Sequence, residues 1–273
     1  TSFTLRTGLS ERELVGTKLE RCFPDKAACE QLLSGTDQPI ETVVHHVDGS
    51  KTPVELILRP VDFGGRPHHV IAVRDLQARK EAERHIRFLA LHDGLTSLPN
   101  RAHFNLRLDQ EIAALPEGET LAVLCLDLDG FKEVNDLFGH AAGDKVLQTV
   151  SARVAAVLGE RQVMARLGGD EFAILAPGLK SAEAAVGLAK TILQALGRNG
   201  IMEDAGGVST SIGIALCPQD AQDRETLLTY ADFALYRAKA LGRSTFHTFE
   251  PEMQAEIRER QILEHDLRYA AVR

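Results

Sequence analysis

The sequence predicts an α+β fold in two parts, with the larger part in the second half of the chain. From residue 121 onward, short apolar strands alternate with segments whose apolar residues recur every three or four positions, the spacing of helices that bury one face. The order is strand, helix, strand, strand, helix, strand, and a glycine pair joins the two middle strands. This β-α-β-β-α-β order is ferredoxin-like.

The composition indicates a globular protein with a negative net charge. Its 273 residues are 44% apolar and 26% charged, with a formal net charge of −8, which suits two domains with apolar cores. The charge argues against nucleic acid as a partner, because binding a phosphate backbone requires a basic surface. The longest apolar stretch, 121–126, is too short for a membrane segment, which takes about 20 residues. We therefore expect a cytoplasmic protein.

Residues 1–76 are expected to form helical stretches, broken at Pro24, followed by a small antiparallel sheet. The turns Asp48-Gly49 and Gly64-Gly65 are typical of hairpins. They separate three apolar strands, at 43–47, 54–58 and 69–73.

This order resembles the second half of a PAS sensor domain. Gly8…Glu13-Leu14-Val15-Gly16 and the closing Val73-Arg74-Asp75-Leu76 fit that family. The resemblance implies a partial PAS domain at 1–76, with two more strands expected before Thr1 and with an unknown small-molecule ligand or none.

Residues 77–92 are charged and helical, and Leu76, Ala82, Ile86 and Leu89 approximate one apolar stripe. Two interpretations stay open for this segment. It is either a lone surface helix or a coiled-coil connector that passes a signal between two domains.

In the larger part, a uniformly apolar strand opens the pattern and helices alternate with strands after it. The predicted elements are strand 121–128, helical stretches through Leu158, strands 163–167 and 172–176, helix 181–196, strand 208–216, helix 224–241 and strand 245–249.

Acidic residues stand where the first strand ends and where the glycine turn closes. Asp127 and Asp129 lie on one face of the strand, because side chains alternate along it. Asp170 and Glu171 follow the glycine pair, and the ferredoxin-like order places the first strand beside that hairpin. Converging carboxylates repel one another unless a cation neutralises them, and hard oxygen ligands suit Mg²⁺ or Mn²⁺. The alternative is solvated turn residues.

Several motifs together resemble a GGDEF-domain diguanylate cyclase at 93–249, a nucleotidyl-cyclase palm. Gly168-Gly169-Asp170-Glu171-Phe172 is the family signature. The other matches are Asp93-Gly94-Leu95-Thr96-Ser97-Leu98-Pro99-Asn100-Arg101, Asp127-x-Asp129-x-Phe131-Lys132-x-x-Asn135-Asp136, Gly139-His140-x-x-Gly143-Asp144 and Ala231-Asp232-x-Ala234-Leu235-Tyr236-x-Ala238-Lys239-x-x-Gly242-Arg243.

The resemblance implies a nucleotidyltransferase that joins two GTP molecules into cyclic di-GMP and releases two pyrophosphates. Each subunit of a homodimer would hold one GTP and two ions, Mg²⁺ or Mn²⁺. The implied metal ligands are Asp127, the Leu128 carbonyl, Asp170 and Glu171. Asp127, Asp170, Glu171 and Lys132 would be catalytic, the last by placing a cation at the triphosphate.

The same resemblance implies the substrate-binding residues. Asn135 and Asp144 would read the guanine edge, since a carboxylate accepts from its N–H groups; Asp144 is alternatively a helix N-cap before Lys145. The remaining implied residues are Gly168 and Gly169, which allow close backbone approach, Gly130 and Phe131 at the triphosphate, and the phosphate clamp Lys239 and Arg243. For that clamp, a solvated cationic helix end is the alternative.

Two further features concern regulation. Many family members carry an inhibitory Arg-x-x-Asp motif where this chain has Gly159-Glu160-Arg161-Gln162, so product feedback is not expected there. Residues 250–273 resemble the helix that leads into an EAL phosphodiesterase domain, which suggests a fragment of a PAS-GGDEF-EAL protein. A plain amphipathic terminal helix is the alternative.

Two other functions stay open. The chain is alternatively a GTP-binding regulatory module for a downstream EAL phosphodiesterase, or a sensor whose essential act is ligand binding at 1–76. The pairs His45/His46 and His68/His69 suggest haem, but neighbouring strand residues face opposite sides. We therefore interpret these histidines as surface residues.

Overall fold

The computed structural model describes residues 11–16, 18, 21, 23, 25–34, 38–46, 48–197 and 208–255. The chain divides into two compact units, one up to Arg87 and one from Phe88 onward. Gly8, Pro24, Val47 and the terminal segment from 256 lie outside the described residues. Within the described ranges no helix has both the length and the apolar run needed to cross a bilayer.

The described part of the first unit includes two short helices and an antiparallel three-stranded sheet in the order β1-β2-β3. Its elements are α1 (Glu11–Leu14), α2 (Lys26–Leu33), β1 (Ile40–His45), β2 (Lys51–Phe63) and β3 (Arg66–Asp75). Leu32 and Leu56 are among its buried residues. The last two strands extend beyond their predicted apolar cores, because backbone pairing continues to Phe63 and Arg66 through exposed residues.

The histidines of this sheet lie at its surface, as the alternation of strand side chains predicts. His45, His68 and His69 are exposed. His46, which is half-buried, has its ring Nε2 2.7 Å from the hydroxyl of Thr52. These contacts support the surface interpretation over a haem site.

The predicted connector is a single helix, α3 (Gln77–Leu91). None of its side chains is buried, and Ile86 and Leu89 keep 66% and 41% of their surface exposed. Leu76, the first residue of the predicted stripe, precedes the helix and is buried, whereas the part of the stripe on the helix is not covered in the monomer.

The second unit is built on a five-stranded sheet with the order β5-β6-β4-β7-β8. Its strands are β4 (Thr120–Asp129), β5 (Val163–Gly168), β6 (Glu171–Leu179), β7 (Ser209–Cys217) and β8 (Phe246–Thr248). The central strand β4 pairs antiparallel with β6 and with β7, as the ferredoxin-like prediction requires. Strand β8 adds a parallel edge beside β7.

Helices cover both faces of this sheet. They are α4 (Arg101–Ala113), α5 (Phe131–Phe138), α6 (His140–Ala155), α7 (Ala182–Gly197) and α8 (Arg224–Ala240). Leu124 and Leu126 of β4 pack in the core to which α6 and α7 contribute. Val123 and Cys125 face the opposite core, to which α4 and α8 contribute.

Helix α4 was not identified from the sequence. Asn100 begins it, accepting a hydrogen bond from the His103 amide at 3.1 Å. Phe104 and Leu108, one helical turn apart, are fully buried in it. Only these two side chains of the helix are buried, so its apolar period was too sparse to distinguish it from a connecting loop.

The backbones of β7 and α8 approach each other closely at Gly213. A Cβ at Gly213 would lie 2.0 Å from the carbonyl oxygen of Ala231 and 2.1 Å from the amide of Leu235. The backbones on both sides are held by the sheet and the helix, so they cannot move apart cheaply. Glycine at 213 is therefore a packing requirement.

We expect Gly213→Ala to lower the unfolding free energy by about 1–3 kcal/mol or more, because overpacking forces the helix off the sheet. Gly187→Ala is the matched control, since a Cβ there meets nothing within 4 Å and alanine favours a helix by about 0.5–1 kcal/mol. Thermal unfolding followed by circular dichroism measures both changes. Equal melting temperatures for the two variants would contradict the packing argument.

Candidate active site

An open cleft of about 420 Å³ lies where β4 ends and α5 begins. The strand delivers Asp127 and the Leu128 backbone to it, and the glycine turn between β5 and β6 delivers Asp170. The predicted site residues that line it are Asp127, Leu128, Gly130, Phe131, Lys132, Asp170, Lys239 and Arg243. The structure thus brings together predicted residues from three separate segments of the sequence.

Strand register explains why the two acidic segments meet. Asp127 is the Cα partner of Glu171 across β4 and β6, and Asp170 directly precedes that pair. Glu171 itself does not line the cleft; it forms a 3.2 Å ion pair with Arg101, which stands at the start of α4. The sequence placed Glu171 beside the metal ligands, whereas its carboxylate contacts a cation of the protein.

The Asp170 carboxyl carries the clearest electrostatic signature of the site. Burial and the neighbouring negative charge of Asp127 raise the pKa of Asp170, in that order of size. Lys239 lies 2.7 Å from the Asp127 carboxylate and offsets part of this repulsion. The pair therefore still favours an added cation.

The donors in the cleft fit a small divalent cation. The carboxylates of Asp127 and Asp170 and the backbone of Leu128 offer the oxygen ligands that Mg²⁺ and Mn²⁺ accept, together with phosphate oxygens of a substrate. Across the described part of the chain, no three His, Cys, Asp or Glu side chains are grouped to hold a metal ion by themselves. Two carboxylates plus a nucleotide are consistent with this finding.

Asp129 differs from its neighbour in the same motif. Its side chain accepts hydrogen bonds from the hydroxyls of Ser209 and Ser211, both at 2.9 Å, and from the amide of Ser244 at 3.0 Å. The sequence grouped Asp129 with the converging carboxylates. The structure instead engages both of its oxygens with protein donors.

Two arginines hold the glycine turn in place. Arg166 donates to the Gly169 carbonyl at 2.8 Å and, through its other terminal nitrogen, to both oxygens of Asp93 at 3.0 and 3.2 Å. Arg101 also donates to the Leu167 carbonyl at 3.3 Å. Arg166 was not singled out from the sequence, because its partner Asp93 lies 73 positions away.

The predicted guanine-reading residues stand apart from the cleft lining. Asn135 of α5 packs against Gly143 of α6, where a Cβ would lie 2.1 Å from its side-chain oxygen. Asp144 is exposed and lies inside α6, whose N-cap is Gly139. The N-cap interpretation of Asp144 is therefore wrong, since the helix begins five residues earlier than the sequence indicated and leaves this carboxylate without a capping role.

Residues 159–162, where the sequence lacks the Arg-x-x-Asp motif, form a turn. The Gly159 amide donates to the Gln162 side chain at 3.0 Å, and the Gln162 amide donates to the Gly159 carbonyl at 2.9 Å. A turn closed by Gly159 and Gln162 thus occupies the segment.

Comparisons with known proteins identify the family of the second unit. Residues 90–245 match the family described as "Diguanylate cyclase, GGDEF domain". The chain is 44% identical over 193 residues to the bifunctional diguanylate cyclase/cyclic di-GMP phosphodiesterase MucR of Pseudomonas aeruginosa, covering 70% of this chain and 28% of MucR. It is 39% identical over 280 residues to the cyclic di-GMP phosphodiesterase PdeR of Escherichia coli, covering 97% of this chain and 41% of PdeR.

A solved structure shows the same fold. The GGDEF domain of TpbB (YfiN) from Pseudomonas aeruginosa superposes with a TM-score of 0.58 at 42% identity, covering 61% of this chain and 99% of that domain. An α+β GGDEF palm therefore accounts for the second unit. The chain spans less than half the length of MucR and PdeR.

The raised pKa of Asp170 can be tested through the pH dependence of the protein's stability. Between the usual aspartate pKa and this raised value the folded protein holds more protons than the unfolded chain, so stability falls as pH rises through the window. Without divalent ions, Asp170→Asn should therefore melt at a higher temperature than wild type at about pH 7, and the difference should shrink below about pH 4.

Glu183→Gln is the control, because a hydrogen bond from Ser181 lowers the pKa of Glu183 and gives the opposite sign. Melting curves in a metal chelator at both pH values measure the effect. A destabilised Asp170→Asn protein at neutral pH would show that the carboxylate is not under repulsion.

Proposed function

Because this chain belongs to the GGDEF family, we propose that it joins two GTP molecules into cyclic di-GMP with release of two pyrophosphates. The observation that carries the proposal is the meeting of Asp127 and Asp170 in one cleft with the cations Lys239 and Arg243. Carboxylates and cations facing one cavity suit a triphosphate that is bound together with divalent ions.

Different residues of the cleft would bind the phosphates and the metal ions. Lys239 and Arg243 contact the phosphates, and the amides of Phe131 and Lys132 face them from the start of α5, since helix N-termini bind anions. Asp127, the Leu128 carbonyl and Asp170 would hold two ions, Mg²⁺ or Mn²⁺, whose charge stabilises the attacked α-phosphate and activates the 3′-hydroxyl. Glu171, which the ion pair with Arg101 holds beside Asp127, would assist these metal ligands.

Guanine recognition is assigned to Asn135 and Asp144. A carboxylate accepts from the N1–H and 2-amino groups of guanine, and adenine lacks those donors. The contact of Asn135 with Gly143 fixes this side chain beside the start of α6, one position before Asp144. The pair therefore favours GTP over ATP.

The reaction requires two loaded subunits, since each 3′-hydroxyl attacks the α-phosphate held by the other subunit. The uncovered stripe on α3 suits a two-stranded coiled coil with a second copy, because Ile86 and Leu89 are exposed apolar residues on one helix. The first unit, at 1–76, would act as a PAS-like sensor that sets the activity of the second.

A second candidate function has its own support. PdeR, which matches over 97% of the chain, is named a cyclic di-GMP phosphodiesterase. This favours a GTP-binding module that controls a phosphodiesterase domain. The acidic and cationic residues of the cleft are nevertheless those that synthesis needs, so catalysis is the first proposal.

The activity is tested with purified chain, GTP and Mg²⁺, with products separated by chromatography. We expect cyclic di-GMP from wild type and a loss of at least about a hundredfold in Asp170→Ala, because an electrostatic ligand of the transition state is removed. Asp223→Ala, which removes a helix-capping carboxylate at the far end of α8, should keep its activity. Tight GTP binding without turnover by a dimeric protein would favour the regulatory module.

The requirement for two subunits is tested by dilution. Specific activity should fall as protein concentration is lowered, and Ile86→Glu should move the half-maximal concentration upward by about tenfold, since a buried charge weakens a coiled-coil seam. Arg87→Glu, which introduces the same side chain at the next position of α3, is the control. Specific activity that stays constant on dilution, or an equal effect of both variants, would count against assembly through this stripe.

A further inference from the structure

The segment that follows α8 has an unusual backbone. Gly242, Arg243 and Ser244 all have positive φ, at 117°, 63° and 50°. Residues with a Cβ seldom adopt this left-handed region, and two of the three carry one. Such a conformation persists only where surrounding contacts over-determine it.

A 3.3 Å hydrogen bond from the Arg243 amide to the Ala238 carbonyl is one such contact, and the Asp129 carboxylate supplies another. The amide of Ser244 donates to it at 3.0 Å, and the Arg243 guanidinium lies 3.9 Å away. Asp129 is only 8% exposed, so its charge is withdrawn from solvent and must be met by protein donors. Ser209 and Ser211 of β7 supply two of them.

The held segment includes a cleft cation. The Arg243 side chain is 69% exposed and lines the cleft with Lys239 and Asp170. Because the Arg243 backbone is fixed between Gly242 and the anchored Ser244, its side chain extends from a defined position at the mouth of the cleft. A mobile backbone at this position would add its own ordering entropy to that of the arginine side chain on binding a phosphate.

We propose that Asp129 is a positioning residue that holds the segment 242–244 and so aims Arg243 at the triphosphate of the substrate. The proposal deepens the proposed function and rests on it. Asp129 also borders the cleft that Asp127 and Asp170 line, but both of its oxygens are engaged by hydrogen bonds from the protein. Two aspartates of one Asp-x-Asp motif therefore have different tasks.

The test compares nucleotides with and without the distal phosphates, using the full chain and calorimetry. The probes are GMP and guanosine 5′-(α,β-methylene)triphosphate, in which carbon replaces the bridging oxygen that the proposed reaction would release. Asp129→Ala should weaken binding of the triphosphate by at least about tenfold and leave GMP binding unchanged. Arg243→Ala should do the same, and adding Asp129→Ala to it should cause little further loss.

Asp220→Ala is the matched control, because Asp220 is also a part-buried carboxylate that accepts from a backbone amide, at the other end of β7. It should lower the melting temperature without changing the ratio of triphosphate to GMP affinity. If Asp129→Ala does not fold, Asp129→Asn and the pair Ser209→Ala and Ser211→Ala loosen the same anchor by smaller steps and should shift that ratio in the same direction.

Independent effects of Asp129→Ala and Arg243→Ala, or equal losses for triphosphate and GMP, would overturn the positioning role. Binding is read without turnover, so a wild-type protein that binds the triphosphate but forms no cyclic di-GMP contradicts the proposed function alone. A wild-type protein that binds neither probe contradicts both.

Discussion

The antiparallel pairing of β4 with β6 is the constraint on which the site depends. It sets Asp127 opposite Glu171 and leaves Asp170 at the turn beside them. Neighbouring strands lie about 4.8 Å apart, so these carboxylates cannot separate without breaking the sheet. Because β4 is central, with apolar cores on both of its faces, the cost of such a break would include much of the core of the unit.

Held together in this way, the carboxylates determine the electrostatics of the cleft. Burial and the charge of Asp127 raise the pKa of Asp170, and Lys239 contacts Asp127 directly. The repulsion between the two carboxylates is thus only partly neutralised by Lys239. Because the chain has a net charge of −8, it attracts a polyanion only at a place where positive side chains are concentrated. Lys239 and Arg243 provide such a place beside the acidic pair.

Surroundings, not residue type, separate the roles of Asp127 and Asp129. Both project from the end of β4, but β7 presents serine hydroxyls to Asp129, while the Asp127 side chain meets Lys239. A carboxylate with three protein donors is a structural anchor, whereas the Asp127 carboxylate, which lies beside Asp170, is the one that we propose as a metal ligand. The contacts of Arg101 and Arg166 at the glycine turn likewise determine where Asp170 lies, since they fix the hairpin that carries it.

The sequence by itself determined the order of strands and helices in the second unit, the glycine hairpin and most of the cleft residues, because strand and helix periods and turn residues are local signals. It missed α4, where only Phe104 and Leu108 are buried, and it placed the start of α6 too late. Only the tertiary structure decided that Glu171 pairs with Arg101, that Arg166 joins Asp93 to the hairpin, and that Asp129 anchors Ser244. These contacts join residues 70 to 115 positions apart, and no local pattern encodes which distant donor a carboxylate will meet.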